Sequence, residues 1–112
     1  EVLNYPNPFS TSTKFVFTLT GSETPDVFII QIMTITGKVV REITKNELGN
    51  LHIGRNITSY AWDGMDEFGD KLANGVYLYR VITRHNGQAM EKRETEADSF
   101  FKKGIGKLVI MR

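Results

Sequence analysis

The sequence predicts an all-β fold, an antiparallel sandwich of about seven strands, and three observations lead to this class. No long stretch places apolar residues at the i, i+3, i+4 and i+7 positions of an amphipathic helix, so helix is a minor component. Short runs of alternating apolar and polar residues recur instead, separated by glycine, proline, asparagine and aspartate. The chain of 112 residues is long enough for one core, burying roughly 65% of the surface that an unfolded chain exposes. One domain over residues 1–112 is therefore expected.

The predicted strands follow one another at residues 14–19, 27–35, 38–43, 56–62, 75–84, 89–93 and 107–111. In the first of them, Phe15, Phe17 and Leu19 share one face. The second is apolar on both faces around Gln31, which is typical of a central strand. Gly37 then gives a tight turn into the third strand. Short strands with turn residues between them fit an immunoglobulin-like (Ig-like) sandwich better than another architecture.

The most informative stretch spans residues 62–80. It predicts a strand that ends in a tryptophan, an Asp/Gly-rich connection, and a second strand of aromatic and β-branched residues. The two faces of that second strand alternate, with Val76, Leu78 and Ile82 on one and Tyr77, Tyr79 and Val81 on the other. Two interpretations of its aromatic residues stay open: packing in the core, which is favoured, or a platform on which a sugar stacks, formed by Trp62, Tyr77 and Tyr79.

Two prolines mark the N-terminal segment. Pro6 and Pro8 fix their own φ and bias the residues before them toward extended geometry. We therefore expect residues 4–8 to lie along a sheet edge without donating ladder hydrogen bonds. The segment is either a docking peptide at a junction with a preceding domain or a seal for an edge, with Phe9 closing one end of the core. The seal is favoured because edge prolines commonly protect against edge pairing.

Composition excludes several classes of function. Lys and Arg number 14 against 13 Asp and Glu, which gives a net charge of +1 and predicts no nucleic-acid partner. Cysteine is absent, so a disulfide framework, a thiolate metal site and a cysteine nucleophile are all excluded. The longest apolar run, at residues 27–30, is too short for a transmembrane segment. The sequence opens without an initiator methionine or a leader, which favours a fragment of a longer protein.

Four carboxylates in the Asp/Gly-rich connection invite a calcium site. Asp63, Asp66, Glu67 and Asp70 supply the hard oxygen ligands that calcium prefers. Their spacing is not that of an EF-hand loop, and we expect Asp63 to accept backbone N–H bonds in the turn instead. No metal or cofactor is therefore predicted, with Asp63, Asp66 and Asp70 kept as the calcium candidates. No pair of carboxylates, and no Ser-His-Asp set, sits where a catalytic cleft is expected, so no catalytic residue is predicted.

Several motifs occur here in one order. The chain opens on Asn-Tyr-Pro-Asn-Pro-Phe, continues through Trp-Asp-Gly and Gly-Val-Tyr, and closes on Lys-Leu-Val-Ile. This order resembles the FlgD-like Ig domains and the related C-terminal domains of type IX secretion substrates in the Bacteroidetes. The motif residues are Asn4, Pro6, Asn7, Pro8, Trp62, Asp63, Gly64, Gly69, Gly75, Val76 and Tyr77. Residues 62–81 also resemble the tail of the gingipain-type cysteine peptidase that acts as sortase in that system.

The resemblance implies a function. Domains of this family are C-terminal sorting or anchoring domains of exported proteins, which reach the outer membrane or cell surface through the periplasm. The implied partners are an upstream domain of the same chain and the outer-membrane secretion machinery. One departure stands out: residues 94–104 look like a loop insertion before the last strand, where the family runs almost directly into it.

The C-terminal strand is the predicted recognition element. A final β-segment can be recognised as an added strand, and the resemblance also implies recognition through the end of the domain. Its residues are Lys107, Leu108, Val109, Ile110, Met111 and Arg112. A second candidate contact is Phe100-Phe101 beside Lys102-Lys103. The alternatives are an Ig-like spacer beside a catalytic domain, a carbohydrate-binding module, and an assembly module like that of a flagellar hook cap.

Overall fold

The computed structural model describes residues 2–85, 88–89 and 105–112, which form two packed antiparallel sheets. Its strands are β1 (Val2–Tyr5), β2 (Lys14–Leu19), β3 (Val27–Thr34), β4 (Val39–Thr44), β5 (Gly54–Ile57), β6 (Gly75–His85), β7 (Gln88–Ala89) and β8 (Gly106–Ile110). A one-turn helix, α1 (Lys45–Leu48), follows β4. The predicted Ig-like antiparallel sandwich is confirmed. Within the described part of the chain, no helix is long and apolar enough to cross a membrane.

The smaller sheet has the order β1-β2-β5, and the larger has β4-β3-β6 with two further strands on the outer edge of β6. Strand β3 pairs with β6 along its whole length, from Val27 opposite Arg84 to Thr34 opposite Tyr77. The other edge of β6 is left for β8 at one end and β7 at the other. Strand β3 is therefore central in its sheet. Gln31 and Met33 are buried on its outer face, as are its inner-face residues, which agrees with a sequence that is apolar on both faces.

The core lies between the sheets and is built from alternating residues. Its large apolar members are Phe15 and Phe17 of β2, Phe28, Ile30 and Ile32 of β3, Tyr77, Tyr79 and Val81 of β6, and Leu108 and Ile110 of β8. Phe17 stacks on Phe28 with ring centroids 4.6 Å apart. Burial of each such side chain contributes about 1.5–3 kcal/mol relative to leaving it exposed.

The strand predicted over residues 56–62 is shorter in the structure, where β5 ends at Ile57. The reason lies in the next residue, because the Thr58 hydroxyl accepts the Phe15 N–H at 3.1 Å and donates to the Tyr60 carbonyl at 3.0 Å. A side chain thus takes the place of a ladder bond, and the backbone leaves the sheet. The chain returns at Trp62, which forms an isolated bridge with Thr13 through two hydrogen bonds of 2.9 Å.

Two further differences concern the ends of elements. Strand β1 begins before the proline-rich segment, so residues 2–5 form a regular ladder with β2. Strand β6 extends one residue beyond the predicted range 75–84, to His85 opposite Gln88 of β7. The end of the predicted strand 89–93, the insertion 94–104 and Phe100-Phe101 with Lys102-Lys103 lie outside the described residues.

Candidate functional site

The candidate recognition strand, β8, is the edge strand of the larger sheet beside β6. Leu108 and Ile110 are fully buried and face the core, whereas Lys107, Met111 and Arg112 are exposed. Val109 is half-buried and pairs with Val76 on the outer face of the sheet. Two of the six predicted recognition residues therefore anchor the strand, and the others are placed where a partner could contact them.

Pairing between β8 and β6 requires a glycine at the start of β8. Gly106 lies opposite Tyr79, and a Cβ atom built at this glycine would overlap the tyrosine ring. The ring is buried edge-on against Phe15, and its hydroxyl donates to the Val2 carbonyl at 3.3 Å. Burial raises the pKa of Tyr79 to about 12. The ring thus joins β8, β6 and β1 across one end of the sandwich.

The outer edge of β8 is occupied by residues 7–9, which we call the plug. The Asn7 side chain donates to the Lys107 carbonyl at 2.9 Å and accepts the Val109 N–H at 3.0 Å. Phe9 continues the contact with its main chain: its N–H donates to the Val109 carbonyl at 3.0 Å, and its carbonyl accepts the Met111 N–H at 2.9 Å. The bridge between Phe9 and Ile110 is parallel. The plug therefore covers β8 as a short surrogate strand.

Side chains and backbone of the N-terminal segment fix the approach of the plug. Asn4 donates from its Nδ2 to the Thr13 hydroxyl at 3.1 Å, and that hydroxyl donates to the Pro6 carbonyl at 2.8 Å. The Oδ1 atom of Asn4 is buried and has no hydrogen-bond partner among the residues that the structure describes. At the far end of the plug, the Phe9 ring lies 5.7 Å from that of Trp62, centroid to centroid, and both side chains are buried. The proline-containing segment was predicted to lie along a sheet edge. The edge that it covers is that of β8, the strand predicted to be recognised by a partner.

The chain end after β8 is held separately. Asn74 Oδ1 accepts the Arg112 N–H at 3.0 Å, and its Nδ2 donates to the Arg112 carbonyl at 3.3 Å. The Arg112 guanidinium reaches back to the Gly64 carbonyl at 2.9 Å. Gly64 has a φ of 80°, and a Cβ atom there would lie 2.7 Å from Arg112 Nη2. A glycine is therefore needed at position 64, both for the positive φ of the turn and for the close approach of Arg112.

Sequence reasoning placed neither Asn7 nor Asn74 against β8. A signal for Asn7 was present, because its prolines at both sides leave few backbone donors, so a side-chain amide is the group able to bridge to a strand. Asn74 precedes Gly75, where the backbone turns into β6 with a φ of 147°. Both asparagines pair an N–H and a carbonyl of the C-terminal segment, at 3.0 and 2.9 Å for Asn7 and at 3.0 and 3.3 Å for Asn74.

Two of the three calcium candidates, Asp63 and Asp66, bind backbone groups of their own loop through their side chains. Asp63 Oδ1 accepts the Met65 N–H at 3.1 Å, and Asp66 Oδ1 accepts the N–H groups of Phe68 and Asp70, both at 2.9 Å. These are Asx-type turn contacts, which asparagine could also make. In the part of the chain that the structure describes, no three His, Cys, Asp or Glu side chains converge as metal ligands.

An open cleft of about 400 Å³ lies beside this loop and is lined by several charged side chains, among them Arg41, Glu47 and Glu67. Arg41 pairs with Glu47 at 2.6 Å and with Glu67 at 3.3 Å, and donates to the Tyr60 hydroxyl at 3.1 Å. Burial opposes the charge of Arg41, but its interactions with Glu47 and Tyr60 prevail and raise its pKa. The hydrogen bond from Arg41 lowers the pKa of Glu47.

Glu67 also seals the outer edge of the larger sheet at β4. Its Oε1 accepts the Glu42 N–H at 2.7 Å, and its own N–H donates to the Val40 carbonyl at 3.1 Å. The charged side chains of the cleft thus bind one another and a strand edge. The arrangement holds a loop in place and offers no nucleophile paired with a base among its lining residues.

The sugar-stacking alternative does not agree with the positions of the rings. Trp62 is fully buried, with its Nε1 donating to the Met65 carbonyl at 3.1 Å. Tyr77 and Tyr79 are 8% and 2% exposed, and the Tyr77 hydroxyl donates to the Ala73 carbonyl at 2.8 Å. The three rings belong to the core, as the favoured packing interpretation expected, and the other face of β6 is the outer one.

No family model matches the sequence, and no curated protein matches it. Among solved structures, the fold is similar to part of dimeric latent PorU from Porphyromonas gingivalis, with a TM-score of 0.67 and 20% sequence identity. The similarity covers 98% of this chain and 9% of the PorU chain. This chain thus spans a small part of the length of PorU, and at this identity the likeness shows the fold alone.

Proposed function

We propose that this chain is a non-catalytic C-terminal sorting or anchoring domain of a larger exported protein, and that it is recognised through β8 and the residues after it. The observation that carries the proposal is the position of this segment at a sheet edge. Leu108 and Ile110 anchor it in the core, while Lys107, Met111 and Arg112 stay exposed on the same short segment. Such a segment combines a fixed backbone with accessible cationic and apolar side chains, as recognition of a strand requires.

Two further observations support the proposal. The ordered N-terminal, Trp-Asp-Gly and C-terminal motifs resemble those of type IX C-terminal domains, and the structure brings the first and last of them into direct contact at Asn7 and Val109. The fold also recurs as 9% of the much longer PorU chain, as expected for one module of a multidomain protein. The proposed parent is a gingipain-type peptidase or a similar exported protein, with this domain following its catalytic part. The proposed route runs through the periplasm to the outer membrane or cell surface.

The test is an export assay in a type IX-competent bacterium, with a reporter that carries a signal peptide and ends in residues 1–112. Deleting β8 would also remove Leu108 and Ile110 from the core, so loss of export would then reflect unfolding as much as lost recognition. The informative variant instead changes two exposed side chains, Lys107→Ser and Met111→Ser together, and keeps Arg112, whose guanidinium binds the Gly64 carbonyl.

A matched control makes the same kind of change on the outer face of the smaller sheet. Lys14 and Ile57 are also one cation and one apolar residue, both exposed, and they become serine together. We expect surface delivery of the parent and control fusions and periplasmic retention of the β8 variant. Equal delivery of all three would refute recognition through these side chains. Retention of all three, with the domain folded, would refute sorting and favour the Ig-like spacer.

A further inference from the structure

The outer edge of β8 presents a row of four backbone groups, and the plug fills all of them. Two, the Lys107 carbonyl and the Val109 N–H, are bound by a side chain, that of Asn7. The other two, the Val109 carbonyl and the Met111 N–H, are bound by the main chain of Phe9. These are the groups that a further strand of the sheet would bind. The edge is therefore a complete strand-binding site occupied by a surrogate.

The plug is a weak surrogate because of its composition. Pro6 and Pro8 have no N–H, so the segment cannot form the regular ladder of a strand. Asn7 is exposed at the surface, and Tyr5, just before the plug, is 76% exposed. Among the plug residues, Phe9 is the one buried, at 2% exposure. One aromatic side chain and a few hydrogen bonds thus hold the plug against β8, whereas a full strand would be held by hydrogen bonds along its whole backbone.

We propose that the plug is displaceable, and that the outer edge of β8 then binds an extended strand of the protein that recognises this domain. This inference rests on the proposed function for the identity of the partner. The entering strand runs parallel to β8, as Phe9 does at its bridge with Ile110. It carries a bulky aromatic side chain at the Phe9 position, where the ring meets Trp62 at 5.7 Å. Backbone bonds to β8 supply affinity, and the aromatic pocket supplies selectivity.

The first step of the test uses a fluorescent peptide that copies residues 5–12 of this chain and the complete domain. In the parent domain the tethered plug competes at high effective concentration, so the peptide binds weakly. Asn7→Ala removes two hydrogen bonds between the plug and β8. We expect this variant to bind the peptide roughly tenfold more tightly than the parent does. A peptide with alanine in place of its phenylalanine is expected to lose that binding.

The matched control is Asn74→Ala. It also removes two hydrogen bonds between an asparagine side chain and the C-terminal segment, but these hold Arg112 and leave the edge covered. Its peptide affinity is expected to equal that of the parent. Hydrogen exchange at the Met111 amide reports the opening, because this N–H donates to the Phe9 carbonyl, which neither substitution removes. Its exchange is expected to accelerate in Asn7→Ala and not in Asn74→Ala.

A second variant keeps the proposal testable if Asn7→Ala folds poorly. Asn7→Asp keeps an acceptor for the Val109 N–H, but above the carboxyl pKa it has no donor for the Lys107 carbonyl. Protonation restores a donor, so peptide binding is expected at neutral pH and is expected to weaken as the pH falls through the carboxyl pKa.

Three results would overturn the inference: no faster exchange at Met111, faster exchange without peptide binding, or a dimer of the Asn7→Ala variant that excludes the peptide. The last would indicate exchange of plugs between two copies of the chain. The peptide assay needs no secretion machinery, so its failure is separable from that of the export assay. Binding of the peptide together with failed export would leave the edge a strand-binding site and refute the sorting role.

Discussion

Truncation of Phe9 tests whether the N-terminal segment is part of the core of the domain. The ring is 2% exposed and lies 5.7 Å from that of Trp62, so Phe9→Ala removes a buried aromatic side chain. Such truncations cost about 3–5 kcal/mol of unfolding free energy, from lost transfer energy and the cavity left behind. The hydrogen bonds of Phe9 to β8 involve its backbone, which the substitution retains. The loss therefore measures packing.

The chain offers a control and a probe for this measurement. Phe68 is 89% exposed on the Asp/Gly-rich loop, and Phe68→Ala makes the same chemical change at the surface. We expect this control to change stability by no more than about 0.5 kcal/mol. Urea denaturation can be followed by the fluorescence of Trp62, the single tryptophan, which is fully buried in the native state. If both variants lost equally little stability, Phe9 would not close the core, and the plug would lie on the surface without contributing to the stability of the domain.

The remaining predictions concern the loop, the cleft and the chain end. Gly64→Ala is expected to lower stability by about 1–3 kcal/mol, because an L-residue is strained at a φ of 80°. Urea denaturation measures this loss, and the part due to crowding of Arg112 should vanish in an Arg112→Ala background. The pKa of Glu47 is lowered mainly by its hydrogen bond from Arg41, so its stabilising contribution is present at neutral pH and is lost as the pH falls through the folded-state pKa. Acid titration of Arg41→Met should show a weaker loss than the parent. Asp66→Ala removes the acceptor of two N–H bonds and should lower the melting temperature equally in calcium and in chelator; a loss confined to calcium would instead indicate a metal site.

The strands were predictable because sheet burial leaves a local record in sequence. Alternation in β2 and apolar character on both faces of β3 each follow from burial of those same residues. The end of β5 was not predictable in this way. Thr58 has a high strand propensity, and only its hydroxyl contacts with Phe15 and Tyr60 take the backbone out of the ladder.

The carboxylates of the loop show the same limit at a candidate site. The composition of the loop left two roles open for Asp63 and Asp66, calcium binding and hydrogen bonding within the turn. The choice between these roles depends on where the carboxylate oxygens point. In the structure, each accepts an N–H two residues ahead, at Met65 and Phe68. These turn contacts were one of the two alternatives that the composition left open. The partners of Glu67 on β4, in contrast, lie 25 residues away or more and left no local pattern in the sequence.

The larger sheet has its outer edges at β4 and at β8 covered by residues of other segments, Glu67 and Asn7. At β4 a carboxylate accepts one strand N–H, and the N–H of the same residue, Glu67, donates to a strand carbonyl. At β8 the amide of Asn7 makes the corresponding pair of bonds, and a carboxylate could not, because it has no donor for the Lys107 carbonyl. Each seal suppresses unwanted pairing of an exposed edge. The two differ in what holds them, since Arg41 adds an ion pair to Glu67 whereas Asn7 has prolines at both sides.

This difference bears on how a binding protein could recognise β8 and the residues after it. The bonds between Asn7 and β8 join residues 100 and 102 positions apart, so the edge is sealed only when both ends of the domain are present and folded. A binding protein that contacts only Lys107, Met111 and Arg112 would read the sealed domain, whereas one that pairs with the backbone of β8 must first displace the plug. Asn7→Ala separates the two mechanisms: it should leave the first unchanged and strengthen the second, because the cost of displacement falls. An export rate or affinity that rises with this substitution would therefore indicate reading of the strand edge, and one that is unaffected would indicate reading of the side chains.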